Sequence, residues 1–285
     1  MKNIIKLIRV KHWIKNVLIF VPAFFNKNLG NPKTILDLIL GFFAFSLIAS
    51  VVYIINDLKD VEKDRKHEIK CKRPIASGAI SKNLAIVLIV IMIVIAMALL
   101  CLVHCKNLYL AFVWAGIYLL TNVAYSLGLK NVPIVDIAIL TLGFIIRVFY
   151  GAAISDIEAS NWLCLTVMAF ALYMGIGKRR NELSKVGDNS TRDVLKYYDV
   201  NLLDKYMTVV TTLGIVFYAL WAGTVIANPY VIWTVPLVFF IIMKYEMIIH
   251  KNSYGDPVEV LLSDKILIGL VGVYGIVMLG LIYGG

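Results

Sequence analysis

From Asn83 to Cys105 the chain runs for 23 residues without an Asp, Glu, Lys or Arg. Wound as an α-helix, such a block extends about 34 Å, enough to cross a hydrocarbon core of about 30 Å. Comparable apolar stretches recur at Trp13 to Phe25, Thr34 to Ile55, Leu108 to Leu127, Val132 to Ser155, Asn161 to Gly177, Leu203 to Ala227, Pro229 to Ile249 and Lys265 to Tyr283, making nine in all. With 60% hydrophobic and 16% charged residues and a mean hydropathy of +0.83, the sequence lies outside the balance of a water-soluble domain. The pattern predicts an all-α integral membrane protein with nine transmembrane helices.

The net charge of +10 and pI of about 9.3 would raise the question of nucleic acid in a soluble chain. Here membrane topology accounts for them, and no nucleic-acid partner is expected. With the N-terminus in the cytoplasm, 24 of the 28 Lys and Arg residues fall before or inside the first stretch or in the inner loops. Lys27, Lys33 and Lys106 fall outside, and Arg147 lies within a span. One crossing too many or too few would move every later loop to the wrong side and destroy this asymmetry. Gly285 is accordingly expected outside, and the protein in the cell inner membrane.

Cys71, Cys101, Cys105 and Cys164 lack zinc-site or disulfide spacing and read as small apolar packing residues, His104 between two of them notwithstanding. Lys15 and Pro22 interrupt the first apolar stretch, so no removable leader is expected. Without a linker, a low-complexity tract or a short repeat, residues 1–285 read as one domain. Small residues within the spans (Gly143, Gly151, Ala152 and Ala153; Gly269, Gly272 and Gly275) are expected to let helices approach closely.

Two polar loops carry the candidate chemistry. The first follows the second span: on a continuous helix Asp57, Asp60 and Asp64 stand at i, i+3 and i+7, one face bearing three carboxylates. Their repulsion needs offsetting, either by neighbouring Lys and Arg on a solvated helix end or by a divalent cation. Magnesium suits the position, since it takes a few carboxylates and completes its shell with phosphate oxygens and water. Cations follow directly, and Arg73-Pro74 leads into a small, turn-prone Ala76-Ser77-Gly78 suited to close backbone approach to a phosphate.

The pattern Asn56-Asp57-x-x-Asp60-x-x-x-Asp64-Arg65, with Arg73-Pro74 and Gly78 downstream, resembles the first Asp-rich motif of the UbiA superfamily of membrane prenyltransferases. Nine helices with an inside N-terminus are similar to that superfamily as well. The resemblance implies a helical bundle around a central cavity open to the cytoplasm, where Mg²⁺ holds the donor's diphosphate. Most members carry a second Asp-rich motif after the sixth span. This chain instead has Lys178-Arg179-Arg180-Asn181-Glu182-Leu183. Three cations serve little purpose toward an uncharged aromatic acceptor but suit a site holding several phosphates, although a positive-inside anchor would also place them there.

Further matches point to one branch, the decaprenyl-phosphate phosphoribosyltransferases. They are Trp13, Lys15 and Asn16, then Tyr125-Ser126-x-x-Leu129-Lys130, Asp136, Gly143, Arg147 and Gly151, and the run Asp256-Pro257-Val258-Glu259-Val260-Leu261-Leu262-Ser263-Asp264. Glu68 departs from the pattern, standing where proline is expected after the histidine. This resemblance implies Mg²⁺-dependent transfer of 5-phosphoribose from phosphoribosyl diphosphate to a membrane polyprenyl phosphate, with diphosphate released. It assigns Asn56, Asp57, Asp60 and Asp64 to the metal and donor diphosphate. Lys15, Arg73, Tyr125, Lys130, Lys178, Arg179 and Arg180 are the candidates for substrate phosphates, with Asp57, Asp60, Lys130 and Lys178 closest to the catalytic step. Asp136 and Glu182 are expected to hold ribose hydroxyls or to orient those cations. Arg147, deep in its span, is read as facing the substrate cavity in preference to a structural ion pair. A homo-oligomer is compatible with all of this. The competing enzyme is an aromatic prenyltransferase of the same superfamily. A transporter is the alternative of another class, disfavoured because charge gathers at one face.

Overall fold

The computed structural model describes residues 2–186, 193–251 and 257–284. Their regular structure is entirely helical, and among them eight helices are long and apolar enough to cross a membrane. The protein is an all-α, multi-pass membrane protein. The chain folds into two compact units, Met1–Leu129 with Ile146–Glu158 and Lys130–Ile145 with Ala159–Gly285.

The first unit opens with α1 (Lys2–Ile8), a 3₁₀ segment (Val10–Phe20) and α2 (Val21–Phe25), followed by α3 (Pro32–Lys59) and α4 (Val61–Arg65). Two membrane helices, α5 (Lys82–Cys101) and α6 (Leu108–Leu127), come next, and the unit ends with the second part of α7 (Val135–Ile154). Helix α3 starts where Pro32 supplies the fixed φ of a first helical position and the Asn31 side chain accepts the Lys33 N–H at 3.0 Å. It runs through the core: Phe45 lies 4.7 Å from the Tyr118 ring and 4.8 Å from that of Tyr150. Only 22% of the apolar window of α5 is buried, so Ile86, Val87, Val90 and Val94 turn apolar surface outward, which water would penalise and lipid does not.

The first apolar stretch, Trp13 to Phe25, departs from the continuous α-helix expected of it. Eleven of its residues and neighbours, Val10–Phe20, wind as 3₁₀ before α2 begins. Side chains hold this unusual length of 3₁₀ against α3. Trp13 Nε1 donates to Ser50 Oγ at 3.0 Å, Asn16 Nδ2 donates to Ser46 Oγ at 2.8 Å, and Ser50 Oγ donates to the Ile8 carbonyl at 2.8 Å. Ser46 and Ser50 lie one turn apart on α3, so this polar strip meets the segment's polar side chains.

Gly151 is indispensable to this arrangement, because a Cβ there would sit 2.0 Å from the Ile19 carbonyl oxygen. Gly116 on α6 has nothing within 4 Å of the same position. Gly151→Ala should therefore lower the thermal unfolding midpoint of the detergent-solubilised protein, with overpacking costing about 1–3 kcal/mol. Gly116→Ala should leave the midpoint unchanged or raise it, since alanine favours the helix by roughly 0.5–1 kcal/mol. Equal midpoints for the two variants would contradict the close approach. Gly269, Gly272 and Gly275 also face open space, so they mediate no close helix contact among the described residues.

The second unit takes the first part of α7, then α8 (Asn161–Val186), α9 (Val200–Thr224) and a 3₁₀ turn (Pro229–Thr234), continuing into α10 (Val235–Lys251), α11 (Pro257–Ser263) and α12 (Lys265–Tyr283). Helices α8 and α9 pack closely, with Phe170 filling the space above Gly214. Asp199 and Asp264 cap α9 and α12 by accepting the Leu202 and Leu267 N–H groups. Asp264 also pairs with Lys244 at 3.0 Å, and the cap and this pair hold its carboxyl below the usual range.

Candidate active site

The charged loop of the first unit is built on a helix break. Helix α3 ends at Lys59, Asp60 takes φ −89° and ψ 7°, and α4 starts at Val61. The expected single face bearing Asp57, Asp60 and Asp64 is therefore bent. Asp57 and Asp64 become buried, at 2% and 4% exposure, while Asp60 stays half-buried at the break.

Two guanidinium groups offset the repulsion between the buried pair. Arg73 Nη1 reaches Asp64 Oδ2 at 2.7 Å and Asp57 Oδ1 at 3.0 Å, so one nitrogen bridges both carboxylates. Arg9 Nη2 meets Asp57 Oδ1 at 2.7 Å, with its Cζ 4.7 Å from the centre of the Tyr53 ring. Charges this deeply buried survive only when paired and hydrogen-bonded, and the two carboxylates with two guanidiniums sum to zero. One residue before Asp57, Asn56 accepts a hydrogen bond from Ser126 of α6 at 3.2 Å.

The following loop is shaped to present Arg73. Gly78 takes the left-handed φ of +76°, and the Ile80 N–H returns to the Pro74 carbonyl at 2.9 Å. Arg65 Nε donates to the Ala76 carbonyl at 3.2 Å, and Lys6 Nζ donates to that of Lys72 at 2.9 Å. His67 Nδ1 accepts the Ile69 N–H at 3.2 Å; burial and the nearby Lys70 push its pKa below the ordinary value, in keeping with a neutral acceptor. The turn-prone residues after Arg73 thus aim the guanidinium, while Pro74, Ile75 and Ala76 are themselves buried.

Asp57, Asp64 and Asn56 offer the oxygen donors that a hard divalent cation takes, and a cationic nitrogen already lies within 3.0 Å of both carboxylates. Among the described residues no three His, Cys, Asp or Glu side chains converge as a closed metal cage. Magnesium keeps water and substrate oxygens in its shell and needs only one or two carboxylates from the protein, a number that Asp57 and Asp64 can supply.

Also in the first unit, Arg147 is packed deep in α7. Its Nε donates to Asn16 Oδ1 at 2.7 Å and its Nη2 to the Tyr118 hydroxyl at 3.2 Å. Its Cζ lies 5.2 Å from the Phe45 ring centre and 4.9 Å from that of Tyr118. Asn16 thus links α3, through Ser46, to Arg147. Lys15 and Tyr125 are half-buried.

In the second unit, Asp136 and Arg179 are both fully buried and ion-paired. Arg179 also donates from Nη1 to Glu182, one turn on. The remaining Asp136 oxygen, Oδ1, accepts from the Tyr198 hydroxyl at 2.7 Å, and that hydroxyl accepts the Ile134 N–H at 2.7 Å. The second hydrogen bond holds Ile134 at φ +69°, a strained value for a β-branched residue. Burial, reinforced by the Asp136 carboxylate, pushes the Tyr198 phenol up to about 12, so it remains a donor at neutral pH. Arg180 pairs with Asp204 at 2.6 Å and donates to His250 Nδ1 at 2.8 Å. Lys178 and Lys130 are half-buried. Asp136 and Glu182 both pair with Arg179. Asp256 and Gly285 lie outside the described residues.

Arg9, Tyr198, Asp204 and His250 join these clusters without having been legible in the sequence. Arg9 was hidden in a basic stretch that topology alone explains. The others are ordinary helix or loop residues whose partners lie 24 to 70 positions away in the chain.

Residues 17–258 match the UbiA prenyltransferase family. Decaprenyl-phosphate phosphoribosyltransferase of Corynebacterium glutamicum is 34% identical over 97% of this chain and 86% of its own length. The protein of the same name from Mycolicibacterium smegmatis is 33% identical over 93% and 87%. Among solved structures, a UbiA homolog from Archaeoglobus fulgidus bound to GPP and Mg²⁺ superposes with a TM-score of 0.73 at 17% identity, over 98% of this chain and 99% of that one. The family match reaches across both units, and the likeness of fold extends nearly end to end: the chain belongs to the UbiA prenyltransferase family.

Proposed function

We propose that this protein transfers 5-phosphoribose from phosphoribosyl diphosphate to a membrane polyprenyl phosphate in a Mg²⁺-dependent reaction. The observation that carries this reading is the buried Asp57–Arg73–Asp64 bridge, an acidic half-site already braced by cations. The names of the Corynebacterium and Mycolicibacterium relatives supply the substrate class.

In this reading an oxygen of the acceptor phosphate attacks C1 of the ribose as the bond from C1 to the diphosphate oxygen breaks, and the diphosphate leaves with the electron pair. The acceptor is already anionic, so the chemistry asks for charge stabilisation more than for a general base. Held by Asn56, Asp57 and Asp64, with Asp60 set apart at the helix break, Mg²⁺ would supply Lewis-acid stabilisation of the departing diphosphate. Arg73, Lys15, Tyr125, Lys130, Lys178 and Arg180 take substrate phosphates. Asp136, Glu182 and Tyr198 fix Arg179 in place, and Arg147 anchors the first segment and lines the cavity.

The same reading makes residues 1–285 one UbiA-type domain of nine spans, with its N-terminus and site on the cytoplasmic face of the inner membrane. Support for the ninth span comes from the 3₁₀ winding. Over Trp13 to Phe25, eight 3₁₀ residues rising about 2.0 Å each and five α-helical ones rising about 1.5 Å cover roughly 24 Å, most of the hydrocarbon core.

Incubating the purified protein with labelled phosphoribosyl diphosphate and polyprenyl phosphate should give a labelled phosphoribosyl lipid, and excess EDTA should stop its formation. Product only from labelled prenyl diphosphate and hydroxybenzoate would establish the aromatic prenyltransferase instead. Full turnover in EDTA would remove the metal from the mechanism.

A further inference from the structure

We infer that Arg9 is a donor-phosphate residue held in reserve on Asp57: it occupies the carboxylate until a divalent cation takes that place, and then turns to the donor's diphosphate. This rests on the reading of the acidic half-site given above.

Charge is the first argument. The cluster of Asp57, Asp64, Arg9 and Arg73 is neutral as it stands. A divalent cation added to the carboxylates would leave two guanidinium charges in excess, in surroundings where unpaired charge is costly. A diphosphate brings the anionic oxygens that restore balance, and guanidinium forks suit phosphate geometry.

Position separates the two arginines. Arg73 bridges both carboxylates from a turn tied down at Pro74 and Gly78. Arg9 pairs with Asp57 alone and keeps 21% of its side chain exposed. It borders a half-open cavity of about 360 Å³ whose wall also includes Lys6, Lys11 and His12 beside the apolar Ile5 and Val10, large enough to receive an anionic group. Its backbone adds a third observation. Arg9 takes φ 52° and ψ 49° at the junction of α1 and the 3₁₀ segment, a left-handed conformation that is unfavourable for a non-glycine residue. Strain of this kind persists where surrounding contacts enforce it and gathers at sites that bind or switch. The Asp57 contact and the Tyr53 ring are the contacts that enforce it here.

The handover predicts opposite changes in two affinities. In Arg9→Gln the competing cation is gone, so Mn²⁺ bound without donor, measured by electron paramagnetic resonance, should bind about 3- to 10-fold more tightly. In the same variant, inorganic diphosphate in the presence of Mn²⁺ should bind about 10- to 100-fold more weakly, and KM for phosphoribosyl diphosphate should rise in parallel. Arg9→Lys retains the charge without the fork, so its Mn²⁺ affinity should stay near wild type while diphosphate binding falls. A purely structural latch would weaken both ligands together. Weaker or unchanged Mn²⁺ binding in Arg9→Gln, or unchanged diphosphate binding in both variants, overturns the proposal. The Mn²⁺ and diphosphate measurements assume nothing about the transferred group. A wild-type protein inactive on phosphoribosyl diphosphate would therefore defeat the functional reading while leaving Arg9 decided on its own.

Discussion

Asp57→Asn should abolish transfer, lowering kcat/KM by more than about 10³-fold, as expected when an electrostatic anchor of a leaving group is lost. Asparagine preserves the shape of the side chain and one acceptor oxygen, so the 3₁₀ segment, α3 and the Arg73 turn should still assemble. The variant leaves Arg9 without its carboxylate and Arg73 with Asp64 alone, so a modest loss of stability, about 1–3 kcal/mol, should accompany the lost activity. Size-exclusion chromatography and circular dichroism separate the two effects: a monodisperse, helical, inactive protein is the expected result. Asp60→Ala tests the remaining carboxylate of the motif, which the helix break sets apart from the buried pair. Near-normal turnover in both variants would take the metal assignment away from this loop.

Arg179→Ala should have the largest effect on stability. Arg179 and Asp136 have no solvent exposure, and removing the guanidinium strands Asp136 in the interior and takes from Glu182 its partner on the next turn. Breaking a buried ion pair on one side typically costs about 3–5 kcal/mol. The variant should unfold at a clearly lower temperature, or fail to accumulate in the membrane. Replacing both members, Asp136→Asn with Arg179→Met, removes the stranded charge and should recover much of the loss. The double-mutant cycle of unfolding midpoints reads this coupling directly. If the single variant proves as stable as wild type, the buried pair does not hold the second unit together. If the double variant recovers stability without activity, Arg179 also serves function.

The two polar loops were legible for different reasons. Asp57, Asp60 and Asp64 could be found because spacing on a helix converts directly into a shared face, and because three carboxylates at a membrane boundary need an explanation. What spacing could not show was the break at Asp60, which depends on how the loop returns to bring Arg73 between the outer two carboxylates. In the second loop, the run from Lys178 to Arg180 showed its charge but not its partners. Arg179 turns inward to Asp136 and Arg180 turns to Asp204, a division of neighbouring residues that follows from which face of α8 meets α7 and α9. Arg147 was marked as exceptional by its depth alone, and its setting among Asn16, Tyr118 and Phe45 required residues from three other segments.

By itself the sequence determined that this chain lives in a membrane as a bundle of helices, because apolar blocks of that length have no other solvent, and a backbone in hydrocarbon must satisfy its own hydrogen bonds. It also fixed the family, through charged residues at set spacings along nearly the whole chain. Only the tertiary structure decided which charges meet. Ion pairs such as Arg9 with Asp57, or Tyr198 with Asp136 by hydrogen bond, join positions 48 and 62 residues apart. Local propensity says nothing about such distances, and burial selects the partners because a charge taken out of water must find its complement wherever the chain has brought one.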